Sequence, residues 1–582
     1  MASKQSDNVG LWKPSKARYE FRTNPEWQGK TSSGFCMGYL QANLAILPSS
    51  LAKDFERFCE LNNAPCPLLY RSKTGELSAG FLAPDSDSVS LQLHCYCSYM
   101  SGFFVAETDL PKYQVNEYGV ITEEPGDLTA HSWDDFVSFY VGCSFGFEGK
   151  LVQAGIPLKN ITEKHGDGVS VFQTNLQCIS VGRFASPLMV SMRAVPIELV
   201  EKTLTITAAF EELHGAPIHI GDPAVIGIDD LYNTEFGEPS SIGDLIPMFW
   251  ACGRSASIAL RAAKLPLSFC HFPGSVFVCD TTVDEYFKIH RPEHGDEQPK
   301  LVTLTDQPYL ASVCSVSVAT KVEKLAEISA ASNSVDGKVD AQSTTDFLKI
   351  SLRLSHAPIV VIGFLNEKES FSFETSTSEC IQAMIALIKA LEVLNKKITI
   401  VTEQNAKLFR EIIVDNVAQG HLISKDGVRV VECAHDEKMN ALLHKLYQGK
   451  ISPRLDTMIG LVVEKSLQPE TKSDIKSGLV DTLFEEAEKH NKIVSIKIIA
   501  DKTKTTADEV ESVDSHTLIT NSLKVAGCGL AAALCVLNMC PIHSRYMRRG
   551  TGKRPIFQAH QFILNTLEGE LRRQISQVTG EN

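Results

Sequence analysis

The run Ile359-Val360-Val361-Ile362-Gly363-Phe364 precedes a helical pattern from Glu379 to about Leu394, which Ser378 is placed to cap. Lys397 to Thr402 is again β-branched, and Ala406 to Val417 again helical. The theme repeats: Thr457 to Val463 reads as a strand, Val480 to His490 as a helix and Ile493 to Ile499 as a strand. Short apolar runs separated by patterns of helical period predict parallel strands joined by crossover helices, because a parallel pair cannot be closed by a tight turn. The fold class is therefore α/β, with a largely parallel sheet in the C-terminal part.

Upstream the pattern changes. Between Val169 and Asp280, Leu188 to Met192, Thr203 to Thr207, Ile218 to Ile220, Pro247 to Trp250 and Ser275 to Val278 read as strands between Gly and Pro turns. Earlier still, Ser49 or Ser50 is placed to cap a helix that runs to Leu61 and stops at Asn62-Asn63-Ala64-Pro65. A second helix is predicted from His131. Ser132 and Asp135 make a capping-box pattern, Phe136, Tyr140, Cys143 and Phe147 share a face, and Gly155 ends it. The chain thus divides into an extended or partly ordered lead-in (1–45), a first mixed α/β domain (46–300), a linker with a connecting helix (301–345) and a second α/β domain (346–582). No internal sequence repeat is evident.

The 582 residues are 43% hydrophobic, 22% charged and 8% aromatic, which excludes collagen-like, low-complexity and mainly disordered chains. Lys and Arg number 56 against 70 Asp and Glu, a net charge of −14 with no basic run, so a nucleic-acid partner is not expected. The uncharged stretch Val525 to Pro541, interrupted by Gly527, Gly529 and Asn538, reads as a buried helix rather than a membrane span. The first thirty residues carry six Lys or Arg but also three acids, so they are ambiguous as a mitochondrial presequence. Sixteen cysteines without a secretory leader point to reduced thiols. His94-Cys95-Tyr96-Cys97, and Cys433 near His435, lack the paired spacing of a zinc site. No metal and no organic cofactor is expected.

The densest chemistry lies in His214-Gly215-Ala216-Pro217-Ile218-His219-Ile220-Gly221-Asp222-Pro223. Residues five apart face opposite sides of a flat strand, so His214 and His219 converge only if Gly215-Ala216-Pro217 turns. The stretch reads equally as an acid/base pair and as a turn whose polar groups satisfy the backbone. Pro247 to Arg254, and His271-Phe272-Pro273-Gly274 leading to Asp280, are apolar strands with polar tips, and Arg254 could hold a carboxylate. In Gly142-Cys143-Ser144-Phe145-Gly146-Phe147-Glu148, Cys143 reads as a buried inert thiol and Glu148 as the residue to face a cavity.

Together Leu47-Pro48 to Cys59, Ala64-Pro65-Cys66-Pro67-Leu68, residues 142–148, 189–193, 214–223 and 249–253, and His271-Phe272-Pro273-Gly274 with Asp280 form an ordered set over about residues 45–285. This set resembles the hydro-lyase domain found alone in bacteria and as the N-terminal half of animal D-glutamate cyclase. The remainder resembles the C-terminal domain of that enzyme, with altered loops at Ser332 to Gly337, Glu374 to Ser378, Glu464-Lys465 and Ala500 to Lys504. Thr503-Lys504 cannot replace a Gly-rich anion loop easily.

The resemblance implies conversion of D-glutamate to 5-oxo-D-proline and water, with a small diacid as partner, no membrane and a homo-oligomer as an option. It implies a mitochondrial matrix location, with the cytosol as the alternative. The chemistry needs a base for the amine, an acid for the leaving oxygen and cations for carboxylates. His214 and His219 are the acid/base candidates with Asp222 orienting one of them, and Arg193 and Arg254 are the anchors. His271 and Asp280 stand second, and Arg254 departs from the apolar residue expected there. Two other readings are a catalytically impaired relative that binds an acidic amino acid and a hydro-lyase acting on another small carboxylic acid.

Overall fold

Residue contacts in the computed structural model divide the chain into two units, 1–301 with 305–311 and 545–548, and 302–304 with 312–544 and 549–582. The structure describes residues 8–76, 78–83, 109–158, 168–239, 242–330, 341–365, 375–403, 405–433, 439–447, 456–462, 480, 482–484, 487, 493–500, 515–520, 522–546 and 553–580.

The first unit begins with α1 (Pro14–Thr23), whose proline at the first position already holds a helical φ. Trp12, Phe21, Trp27 and Phe35 pack in edge-to-face and tilted pairs beside it. The segment expected to be a partly ordered lead-in thus packs into a small core shared with Val278, and its last residues begin the central strand. That strand, β1 (Tyr39–Pro48), leads to α2 (Ala52–Leu61), β2 (Leu68–Arg71), β3 (Tyr113–Glu117), β4 (Val120–Glu123), β5 (Phe136–Gly142) and α3 (Phe145–Gln153). Then come β6 (Val171–Gln177), β7 (Pro187–Val195), α4 (Val200–Ala208), β8 (His219–Gly221), β9 (Ile246–Ala251), α5 (Arg254–Ala262), β10 (Ser268–His271), β11 (Phe277–Thr282) and α6 (Val283–Ile289). Residues 301–315, expected as the start of the linker, lie in β12 (Pro299–Asp306) and β13 (Tyr309–Ser315).

Three local expectations fail for identifiable reasons. Phe136 to Gly142 is a strand, not a helix face. It is paired with β1 on one side and β2 on the other and buried on both faces, so no alternation betrays it. Thr203 to Thr207 is helical, and the hydroxyls of Thr203 and Thr207 bond back to the carbonyls of Leu199 and Thr203, as β-branched hydroxyl residues do within a helix. Ser49 does not cap α2; it sits in a 3-10 turn and its hydroxyl donates to Asp135.

The strands form two antiparallel arrays. One runs β2-β5-β1-β10-β3-β4, with β11 also on β1; the other runs β12-β13-β8-β9-β7-β6. The orders β2-β5-β1-β10 and β8-β9-β7-β6 are the same arrangement built twice. β1, Pro48, a 3-10 turn and α2 match β7, Pro196, a 3-10 turn and α4. β5, Cys143 and α3 match β9, Cys252 and α5, and both helices have nine residues. Each helix is followed by a residue with positive φ, Gly155 (81°) and Lys264 (49°), then by Ile156-Pro157-Leu158 or Leu265-Pro266-Leu267. The halves exchange their last strands: β6 follows α3 yet pairs with β7, and β10 follows α5 yet pairs with β1. Register makes Asn43, opposite Val141, the counterpart of Ser191, opposite Trp250. This internal duplication is the repeat that sequence inspection misses.

The second unit carries a six-stranded sheet in the order β16-β15-β14-β17-β18-β19, formed by β14 (Ile359–Leu365), β15 (Lys397–Thr402), β16 (Val428–Glu432), β17 (Asp456–Val462), β18 (Ile493–Ala500) and β19 (Ser515–Thr520). Every pairing is parallel, as the alternation predicts. The order is that of a doubly wound sheet, reversing between β14 and β17. The uncharged stretch near Val525 lies in the helix Leu523–Met539, buried almost throughout. Among the described residues no helix is long and apolar enough to cross a membrane.

Candidate active site

The two strand-to-helix corners of the first unit, Cys143 and Ser144 with Phe145 at the start of α3, and Cys252 with Arg254 at the start of α5, line one cleft of about 510 Å³. Asn43 from β1 and Ser191 from β7 line it as well, so each half contributes the same pair of elements. The turn between β10 and β11 adds His271, Pro273, Gly274 and Val276, while Val169, Val171 and Phe236 close the apolar side. Both helices present N-termini here, which favour negative charge. Among the described lining residues Arg254 alone is charged at neutral pH.

Close backbone approach shapes both corners. A Cβ on Gly253 would fall 2.2 Å from Asn43 Nδ2, and one on Gly142 would fall 1.7 Å from the Glu212 carbonyl oxygen. Glycine lets the Glu211–His214 turn lie directly on the first corner. His214 ends that turn with φ of 79°, an unusual left-handed conformation for a non-glycine residue, followed by Gly215 at 68°. Arg545, which belongs to this unit, holds the turn through an ion pair with Glu211 at 3.1 Å.

His214 lines the cleft, and its Nδ1–H donates to the Ala64 carbonyl at 2.8 Å. In the neutral ring that bond leaves the Nε2 lone pair as the proton acceptor. Burial lowers its pKa to about 4, a shift opposed by the Ala64 bond and reinforced by the charges of Arg545 and Arg193. His271 lies with Nδ1 at 3.2 Å from both the N–H and the carbonyl of Leu44, so the backbone accommodates either tautomer. Its pKa is also lowered to about 4, first by burial and further by Arg254. Arg254 Nη1 donates to Gln114 Oε1 at 3.4 Å. The cleft therefore offers two neutral imidazoles, a guanidinium and two hydroxyls to one small ligand, a set suited to proton transfer beside a carboxylate.

The other expected site residues lie elsewhere. His219 is fully buried and its Nε2–H donates to the main-chain carbonyl of Asp222, while the Asp222 carboxylate caps the amide of Ala224. The pair thus forms a turn held by its own backbone, and His219 does not share the cleft that His214 lines. Arg193 does not line the cleft: it forms a buried ion pair with Glu148 at 2.6 Å and reaches Ser144 and Ser191. Glu148, expected to face a cavity, is also held by Ser33. Asp280 accepts a two-pronged contact from Arg18 at 3.0 and 2.9 Å, outside the cleft. Cys143 is on the corner, not on a helix stripe, and burial raises its pKa well above the usual thiol value.

No group of three or more described His, Cys, Asp or Glu residues is placed to hold a metal ion. His94, Cys95, Cys97 and His435 lie outside the described residues, as do Ser332 to Gly337, Glu374, Glu464-Lys465 and Asp501 to Lys504. Sequence reasoning missed Asn43, Ser144, Ser191 and Cys252. The available signal was the twice-used strand–Cys–helix corner, Gly142-Cys143-Ser144 and Ala251-Cys252-Gly253.

A family model described as D-glutamate cyclase matches residues 137–280, the span that holds both corners and both cleft histidines. A protein of Bradyrhizobium sp. (strain ORS 278) is 38% identical over 276 residues, covering 47% of this chain and 93% of that protein. Proteins of Geobacillus kaustophilus (strain HTA426) and Bacillus subtilis (strain 168) are each 39% identical, over 46% and 43% of this chain and 94% and 90% of their own lengths. All three bear the name "Putative hydro-lyase". At this identity, over nearly the whole of each relative, the chain belongs to the D-glutamate cyclase family of hydro-lyases.

Proposed function

We propose that the first unit is a hydro-lyase that closes D-glutamate to 5-oxo-D-proline with release of water. The observation that carries this reading is the shared cleft of His214, His271 and Arg254. Arg254 holds a substrate carboxylate, and the neutral His214 accepts a proton from the ammonium group, freeing the nitrogen to attack the γ-carboxyl carbon. The C–N bond forms to give a tetrahedral intermediate, a C–O bond of that intermediate then breaks, and the two protons lost from nitrogen leave on the departing oxygen as water. His271 is positioned to share the proton transfers. Because the attack is intramolecular, holding the substrate curled supplies much of the acceleration.

The test uses the full-length chain, because Arg545 and Tyr546 belong to the same unit as the cleft. D-glutamate should yield chromatographically detected 5-oxoproline, with L-glutamate as the control. His214→Ala should cost roughly 10²–10⁴ in turnover; unchanged activity in a folded variant removes the assignment. The names of the relatives specify a reaction class without a substrate, which favours a hydro-lyase acting on another small carboxylic acid as the second reading. Turnover of such an acid, with none of D-glutamate, would establish it. The location that accompanies the D-glutamate reading is the mitochondrial matrix, with the cytosol as the alternative, and fractionation of the tagged chain separates them.

A further inference from the structure

The two corners share a backbone plan but not a chemistry. At the α5 corner stand Arg254 and Gly253, the latter directly against Asn43; the counterparts of Gly253 and Asn43 in the repeat are Ser144 and Ser191, which meet at one guanidinium. Both serines line the cleft and are at least nine-tenths buried. Behind them lies Arg193, 4% exposed, which donates to Ser144 Oγ at 3.1 Å and to Ser191 Oγ at 3.4 Å. Its charge is neutralised by Glu148 at 2.6 Å, and its guanidinium lies 5.3 and 5.5 Å from the Phe147 and Trp250 ring centres.

We infer that Ser144 and Ser191 form the seat of the reacting carboxyl group, with Arg193 as their positioning residue, and that Arg254 seats the carboxylate that survives the reaction. The inference deepens the proposed cyclisation and rests on a diacid substrate. A hydroxyl oxygen that accepts from a guanidinium keeps its own proton to donate, so both serines become donors toward the cleft. The seat is neutral overall because Arg193 and Glu148 cancel. That suits a group which must lose its charge: neutral donors stabilise the oxyanion of the tetrahedral intermediate without clamping the resting carboxylate as a free cation would. The carboxylate that stays ionised throughout is matched instead by the lining guanidinium of Arg254.

Two measurements on the full-length chain test this. In steady-state kinetics with D-glutamate, the double variant Ser144→Ala/Ser191→Ala should lose roughly 10²–10³ in kcat, whereas Arg254→Met should act mainly by raising KM about tenfold or more. Arg193→Lys should lower kcat with the serine variant and shift KM less than Arg254→Met does. In calorimetry, glutarate, a diacid without the amine, should bind the wild type and lose affinity in both the serine and the Arg254 variants. Full kcat in the double serine variant, or the reverse split between kcat and KM, overturns the assignment. A wild type that binds glutarate through both seats yet leaves D-glutamate unchanged would remove the reaction and keep the seats. Glutarate affinity untouched by the serine changes would overturn the seats whatever the reaction.

Discussion

The Cys143 corner and the Cys252 corner are the same construction carrying different chemistry. Each is a buried strand, a cysteine and a nine-residue helix that opens on the cleft. One carries hydroxyls backed by a neutralised ion pair and lies beneath the His214 turn; the other carries a lining guanidinium and the His271 turn. What differs between copies of a scaffold is where function resides, because the shared part only has to fold.

The largest expected effect on this comparison is acid sensitivity. His214, His219 and His271 have native pKa values lowered to about 4, below the unfolded value near 6.5. Between those values the unfolded chain binds protons that the native chain refuses. Stability is therefore intact above about pH 6.5 and falls as pH drops toward about 4, by up to about 1.4 kcal/mol per pH unit for each histidine. Urea midpoints measured across this window should show the slope. His214→Gln and His271→Gln should each remove one histidine's share, and unequal shares would mean that one corner is wetter than the other.

Next is the ion pair that only one corner possesses. Glu148→Ala leaves the Arg193 charge buried and should cost about 3–5 kcal/mol in denaturant unfolding; a loss under 1 kcal/mol would mean that water reaches Arg193. Smaller is Gly142→Ala, where the new methyl meets the Glu212 carbonyl. It should cost about 1–3 kcal/mol by forcing the His214 turn away, although alanine is already the resident residue at the counterpart, Ala251. Smallest is Lys264→Gly. Its counterpart, Gly155, shares the positive φ, so relieving Lys264 should raise stability by about 0.5–1 kcal/mol in thermal unfolding. A loss there would show that the side chain, not the backbone, matters at that position.

Much of the second unit was legible from local pattern: strands at Ile359, Lys397, Thr457 and Ile493 separated by helices, and a parallel sheet that follows from the connections. The first unit was less so. A strand buried on both faces, such as Phe136 to Gly142, has no alternation to read, and the threonines of α4 suggest a strand until their hydroxyls are seen bonded within the helix. Within the site, His271 and Arg254 were legible as polar tips of apolar runs, and His214 as part of the dense His214–Pro223 stretch. His219 and Asp222 came from that same stretch, Arg193 as a carboxylate anchor, Glu148 as a cavity-facing carboxylate and Asp280 as the end of the His271 run, yet each is engaged by a neighbour outside the cleft or behind its wall.

Amino-acid order alone determined the α/β class, the alternation of strands and helices in the second unit and the residue types available for proton transfer, since these depend on neighbours along the chain. Only the tertiary structure decided which polar groups meet. The exchange of β6 and β10 between halves brings residues of distant segments to one cleft, while burial pairs Arg193 with Glu148 and Arg18 with Asp280. Desolvation makes an unpaired buried charge too costly to keep, so partner choice is settled by proximity in space, which a linear sequence does not record.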